Sequence, residues 1–258
     1  MYSLNHIVNR NRQSLLDDPQ TTSLHAEIIK KNYYLKALYV DFYSILSDAI
    51  DGIYENKLIV ELGSGGGFIK DIIPNVVTSD VIASPTIDMQ ISILDMPFKE
   101  QEVDVFFMLN VLHHINDANA LFDELNRCLK VGGRVVMIEP SNTLLSSLIW
   151  RFFHHEPFMP EGGWTFEQGG RLSAANIALP WIIFYRDIEK FEKNFPSLRL
   201  IKRQCHTPLR YLLSGGLTVS PFMPPFTYKF VLKIERLLSN LNNYLGMFMT
   251  IVLEKVSP

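Results

Sequence analysis

Leu58-Ile59-Val60-Glu61-Leu62 is an apolar run broken by one acid, and it empties into Gly63-Ser64-Gly65-Gly66-Gly67. A short, almost continuously apolar run that stops at glycines is the pattern of a buried parallel strand turning into a helix. Glycines at that point let a ligand approach the backbone closely, and the amides that follow suit an anionic group. Working outward, strands are expected at 76–82, 87–93, 103–109 and 135–138. Asp117 is placed to cap a helix carrying Leu121, Phe122, Leu125, Cys128 and Leu129 on one face, stopped by Gly132-Gly133. The order β-α-β-β-β-α-β implies an α/β fold, a mostly parallel sheet with right-handed crossovers.

On the upstream side, Ile28, Ile29, Tyr33, Leu35, Leu38, Tyr39, Phe42, Ile45 and Leu46 recur at helical spacing without proline, which predicts one long helix or two shorter ones over 24–50. Residues 1–20 read as a loosely docked arm. Downstream of Pro140 the regularity fades into prolines, aromatics and two glycine pairs. Strands return at 198–205 and 247–254, flanking a helical apolar period over 226–244. A chain of 258 residues with 47% hydrophobic content is expected to form one domain. Its parts are a helical extension at 1–56, a ligand-binding core at 57–140, and insertions at 141–197 and 204–246.

The net charge of −3 argues against broad nucleic-acid binding, which needs a positive surface. A local patch from Arg199, Lys202, Arg203, His206 and Arg210 is compatible with it. The two cysteines, Cys128 and Cys205, match no zinc spacing and fit a reducing cytoplasm. The polar start of the chain does not read as a signal peptide, and no run of about 18 apolar residues is present to span a membrane.

Two cofactor classes compete for the glycine turn. The dinucleotide fingerprint G-x-G-x-x-G would use Gly63 and Gly65 but meets Phe68 at its third glycine, which disfavours a nicotinamide-dependent oxidoreductase. Glu61-Leu62-Gly63-Ser64-Gly65 instead resembles motif I of class I S-adenosylmethionine-dependent methyltransferases. The rest of the block follows in the order of that family: Asp80, nineteen residues after Glu61; Leu94-Asp95-Met96-Pro97-Phe98; Asn110-Val111-Leu112-His113-His114; and Leu129-Lys130-Val131-Gly132-Gly133-Arg134.

The resemblance implies a Rossmann-like seven-stranded sheet with helices on both faces and an antiparallel last strand. It implies S-adenosyl-L-methionine as cofactor, held by Glu61, Gly63, Ser64, Gly65, Asp80, Asp95, Met96 and Asn110. Asp80 would take the ribose hydroxyls. Ser92 stands where many relatives carry an Asp for the adenine, so Asp95 is expected to substitute. Arg151-Phe152-Phe153-His154-His155-Glu156-Pro157-Phe158, Leu179-Pro180-Trp181 and Arg210-Tyr211-Leu212-Leu213-Ser214-Gly215-Gly216 are similar to segments of a bacterial methyltransferase type 11-like group.

Methyl transfer needs an acceptor atom in line behind an electrophilic methyl carbon, and a hydroxyl acceptor also needs a base. Histidine is the natural base near neutral pH. The candidates are His113 and His114 after strand four, His154 and His155 in the first insertion, and His206. Glu139, at the end of strand five, is read equally as a substrate contact or a solvated loop carboxylate. No metal site is expected; at His154-His155 the reason is that adjacent histidines do not point the same way on a helix or strand. The insertion also offers Glu156, Trp164 and Arg171 as polar groups in an apolar frame. The expected acceptor is a small molecule, glycan or lipid-linked intermediate methylated on oxygen, with a peripheral membrane contact through the aromatic insertions. The alternatives are a C-methyltransferase on a quinone-like lipid and a non-catalytic cofactor-binding partner protein.

Overall fold

The computed structural model describes residues 19–51, 55–166, 175–217 and 220–257. The expected N-terminal arm, apart from its last two positions, and Arg171 lie outside the described residues. The chain opens with α1 (Pro19–Lys31) and α2 (Tyr33–Asp48), so the upstream apolar period resolves into two helices. Asn32 separates them: its Oδ1 accepts the Leu35 N–H at 3.0 Å, and its Nδ2 donates to the Ser214 carbonyl at 2.8 Å. An N-cap restarts the helix there because it satisfies an amide that the preceding helix cannot.

Next come β1 (Ile59–Leu62), β2 (Val76–Asp80), β3 (Met89–Gln90), β4 (Val103–Leu109), α3 (Ala118–Cys128) and β5 (Leu129–Pro140). Then follow α4 (Leu144–Phe153), α5 (Leu179–Trp181) running into a wide π turn at Ile182–Arg186, α6 (Ile188–Asn194) and β6 (Leu198–His206). The chain closes with α7 (Arg210–Ser214), α8 (Tyr228–Leu237), α9 (Asn242–Leu245) and β7 (Phe248–Lys255).

The seven strands form one sheet in the order β3-β2-β1-β4-β5-β7-β6. The first five are parallel, and β7 lies between β5 and β6, antiparallel to both. Strand order reverses between β1 and β4. In an open α/β sheet that reversal leaves a crevice beyond the carboxyl ends of the two strands. Alternation along β4 feeds two cores: Val105 and Phe107 face α2, while Phe106 and Met108 face α3 and the segment 179–195. Burial on both faces is why the strands read as continuous apolar runs.

Three local expectations change. A single 3₁₀ turn, Ile69–Asp71, follows the glycines in place of a full helix; Pro74 and the early start of β2 leave no room for more. Helix α3 ends at Cys128, before Gly132-Gly133, because Leu129 is already extended and pairs with Val103. Gly132, at φ +80°, sits where the β4–β5 register shifts, as bulge glycines do. The apolar period over 226–244 is not a core stripe: Val231 is buried, but Phe226, Phe230, Leu237 and Leu241 are exposed. Among the described residues, no helix is long and apolar enough to cross a membrane.

Candidate active site

The glycine turn sits at the reversal point. Gly63 has φ +68°, and a Cβ there would lie 2.7 Å from Val111 Cγ2, so the backbone of β1 passes directly under the segment leaving β4. Gly66 and Gly67 serve packing of the helices. A Cβ on Gly66 would meet the Ala26 nitrogen at 2.6 Å and the Thr22 carbonyl at 3.0 Å, both on α1. A Cβ on Gly67 would collide with the Tyr43 hydroxyl on α2. The two N-terminal helices therefore close over the turn.

The tip of β2 braces it from the other side. The Ser64 N–H donates to the Ser79 carbonyl at 2.8 Å, and Ser64 Oγ accepts the Ser79 N–H at 3.2 Å. Asp80 is buried and accepts the Gly65 N–H at 3.0 Å and the Ile82 N–H at 3.1 Å. Asp80 is thus a brace for the turn as well as the expected ribose contact. The expected adenine loop follows β3, with the Ile91 N–H donating to the Asp80 carbonyl at 3.0 Å. Within it Met96 is buried and Asp95 is exposed. Glu124 accepts the Met96 N–H at 2.7 Å, and Arg127 donates to the Met96 and Phe98 carbonyls at 2.9 and 2.6 Å. Sequence reasoning missed this clamp; its signal was an acid and a base three residues apart on α3.

Of the three buried acceptors that lack a donor among the described residues, one is Asn242 Oδ1 and two lie here, Glu61 Oε2 and Asn110 Oδ1. These two belong to the ends of adjacent strands, β1 and β4, and Asn110 is held at φ +57°. Burial pushes the Glu61 carboxyl up to about 7; a hydrogen bond from Ser64 opposes that rise, and the Asp80 carboxylate adds to it. A cationic group with several N–H donors, such as the ammonium of an amino-acid cofactor, would relieve both.

The region beyond the carboxyl ends of β4 and β5 is built on side chains. Glu139, at the end of β5, is fully buried. Its Oε1 accepts the Val111 and Leu112 N–H groups at 2.8 Å each, and its Oε2 lies 2.7 Å from His113 Nδ1. Both open readings of Glu139, substrate contact and solvated carboxylate, give way to an anchor for the 3₁₀ turn Leu112–His114. Beyond that turn stands Glu156, its side chain 13% exposed. His113 Nε2 lies 3.6 Å from one Glu156 oxygen; His114 Nε2 and His155 Nε2 each lie 3.7 Å from the other. His154 Nδ1 accepts the Glu156 N–H at 3.2 Å.

Four of the five candidate histidines therefore surround one carboxylate, and His206 does not join them. The assumption that adjacent histidines point apart fails because neither pair lies in regular structure: His113-His114 is in the 3₁₀ turn, and His154 is the extended cap ending α4. The expectation of no metal site changes with it: His113, His114 and Glu156 bring one ligand atom each within 4.8 Å of one another.

The electrostatics differ around the ring. Burial alone would lower His113, but Glu139 and Glu156 outweigh it and raise it to about 9. Burial would raise Glu156, but the histidines hold it well below the usual carboxylate range. Burial brings His154 down to about 4 against the pull of Glu156. Two tyrosines not foreseen connect the halves. Burial and the Glu61 charge push Tyr39 up to about 12. Burial also raises Tyr211, with contributions from Glu156 and Tyr39.

Other expected groups lie elsewhere. Trp164 is in the opposite core, donating to Asp187 at 2.9 Å beneath Lys190. The basic patch loses two of its five residues: Arg210 is buried against Glu235 and Asp41, and His206 is bonded to Thr207 and Thr250, while Arg199, Lys202 and Arg203 remain exposed on β6.

Residues 60–137 match a family described as Methyltransferase domain. No curated protein matches the chain by sequence. Solved structures do. The phosphoethanolamine N-methyltransferase 2 of Haemonchus contortus, in complex with S-adenosyl-L-methionine, shares 13% identity at TM-score 0.51, over 95% of this chain and 60% of that one. A methyltransferase of Thermotoga maritima, described as a possible histamine N-methyltransferase, shares 14% at TM-score 0.50, over 90% and 99%. The geranyl diphosphate C-methyltransferase of Streptomyces coelicolor A3(2) shares 15% at TM-score 0.49, over 89% and 82%. At such identities the likeness to the Haemonchus and Thermotoga structures carries the fold alone, while the match over 60–137 carries the domain. With the ordered motifs and the sheet reversal beneath them, the chain carries a class I S-adenosylmethionine-dependent methyltransferase domain.

Proposed function

We propose that the chain methylates a hydroxyl of a small or lipid-linked acceptor, and that the histidines around Glu156 activate that hydroxyl. The observation that carries this reading is the imidazole–carboxylate cluster beyond Asn110, at the carboxyl ends of β4 and β5. Glu61 and Asn110 are suited to the cofactor's ammonium, Asp80 to its ribose, and the Asp95–Met96 loop to its adenine. Bound there, the cofactor supplies an electrophilic methyl group on sulfur.

The chain's own task is to hold the acceptor oxygen in line and accept its proton. His113, held as a cation between Glu139 and Glu156, is the wrong protonation state for a base; it fixes Glu156 instead. His114 is the base in this reading. An imidazolium formed there stands beside an ionised carboxylate, which favours it. The oxygen–carbon bond would form as the carbon–sulfur bond broke, with that bond's electron pair left on sulfur and the hydroxyl proton on His114.

Two surface helices support an amphiphilic acceptor. On α4, Leu144, Leu148 and Phe152 line one exposed face beside Arg151. On α8, Phe230 and Leu237, with Phe226 just ahead of the helix, are exposed beside Lys229, Lys233 and Arg236. α4 has no acid, and the one acid on α8, Glu235, is buried. Apolar faces fringed only by cations suit an anionic membrane surface.

The test is incubation of the protein with ¹³C-methyl-labelled S-adenosylmethionine and separated lipid and aqueous cell extracts. The reading expects a methoxy resonance in the lipid extract. Label on nitrogen or on carbon would refute it.

A further inference from the structure

We propose that His113, His114 and Glu156 bind a divalent transition-metal ion of zinc-like preference, with Glu139 as its outer-shell partner. This deepens the methyl-transfer reading by naming what activates the acceptor at the same cluster.

Four observations lead there. One ligand atom from each of the three residues lies within 4.8 Å of the others, and the Nε2 atoms of His113 and His114 face different oxygens of the Glu156 carboxylate, at 3.6 and 3.7 Å. Those separations are too long for hydrogen bonds. They are close to the roughly 3.3–3.4 Å that separates ligands held at about 2.0–2.1 Å in a tetrahedral zinc site. A small contraction of side chains would close such a site.

The second observation is the bond at 2.7 Å between His113 Nδ1 and Glu139. With an ion in place of the Nε2 proton of the cationic ring, this bond keeps the remaining proton on Nδ1 and leaves the Nε2 lone pair for the metal. A carboxylate behind a histidine in this way is the usual outer shell of a metal-bound imidazole. Glu139 is itself fixed by two backbone amides, so the ring cannot easily turn away.

The third is charge. Two carboxylates, Glu139 and Glu156, converge on His113 in a buried site, and a divalent ion would balance both. The fourth is ligand number. Two imidazoles and one carboxylate leave a tetrahedral ion one open position, as in catalytic zinc sites. An acceptor hydroxyl in that position would lose its proton more readily, releasing it to solvent past the half-exposed His155. His114 is then a ligand, and the ion replaces it as the activating group.

The experiment uses the full chain after dialysis against chelator. Zinc chloride is titrated by calorimetry, and cobalt(II) chloride is followed by visible absorption. One equivalent should bind, and cobalt should give the intense visible bands of a four-coordinate site. Glu156→Gln and His114→Ala should weaken binding at least 100-fold. Glu139→Gln, which removes no ligand, should weaken it about 10- to 100-fold. S-adenosylhomocysteine affinity in each variant reports whether it has folded. Absence of zinc and cobalt binding in protein that binds S-adenosylhomocysteine overturns the site, as does undiminished binding in folded Glu156→Gln. Methyl transfer that persists in chelator would leave the enzyme reading standing with His114 as base, while overturning the metal. One equivalent of bound metal without methyl transfer to any extract would support the site and count against the acceptor reading.

Discussion

The two halves of the site are made of different material. Around Gly63–Gly67 the turn is backbone: amides and carbonyls of β1 and the tip of β2 brace one another, and α1, α2 and Val111 close on glycines that leave no room for a Cβ. Around Glu156 it is side chains brought from β5, the turn after β4 and the cap of α4, with Tyr211 adding its ring from α7. A backbone site is specified locally and tolerates little change of shape. A side-chain site is specified by tertiary packing and concentrates charge. In the proposed reading the first holds the cofactor and the second acts on the acceptor.

The sharpest way to break this contrast is Glu139→Ala. It strips two buried amides and His113 of their acceptor, so unfolding in urea should show a loss of about 3–5 kcal/mol. A loss below 1 kcal/mol would mean that the cluster is not held as described. Next is Gly66→Ala. Its methyl would press on the backbone of Ala26, which cannot rotate aside, and about 1–3 kcal/mol should be lost. Unchanged stability would show that α1 does not close over the turn.

A pH experiment sharpens the cofactor half. Glu61 has a folded value of about 7, above its ordinary 4.5, so the ligand-free protein should lose stability as pH rises from about 4.5 to about 7. An ammonium beside Glu61 reverses the preference and favours the carboxylate. S-adenosylhomocysteine should therefore bind up to about tenfold more weakly at pH 6 than at pH 8. Calorimetry that gives equal affinities would remove Glu61 from the ammonium site. The smallest effect on the fold belongs to Phe226→Ser with Phe230→Ser. Both are exposed, so unfolding should shift by no more than about 0.5 kcal/mol. Sedimentation with phosphatidylglycerol vesicles should nevertheless fall, while vesicles of phosphatidylcholine alone should bind poorly throughout. Vesicle binding untouched by the substitutions would separate this surface from membranes.

The same contrast explains what could be read in the sequence. The strands of the core were visible as short apolar runs ending at turns, while the antiparallel course of β7 was legible only through the family resemblance joined to the strand-like run at 247–254. Glu139 was visible only as the end of a strand; that its oxygens would anchor the turn bearing His113 depends on how β4 and β5 pair. The His113-His114 and His154-His155 pairs were visible as types, but their convergence on Glu156 was not. It depends on a 3₁₀ turn and an extended cap, where the spacing rules of helix and strand give no direction. Trp164 had the composition of a pocket residue and went to the opposite core, since an indole that can donate to Asp187 is as well satisfied there.

The division of labour between the halves is tested most directly by calorimetry of S-adenosylhomocysteine on three proteins: wild type, Asp80→Asn and Glu156→Gln. The account predicts that Asp80→Asn weakens binding by about 1–3 kcal/mol, through the lost charged acceptor and the loosened Gly65 turn. It predicts that Glu156→Gln binds as tightly as wild type. Equal losses in both variants, or a loss in Glu156→Gln alone, would contradict it.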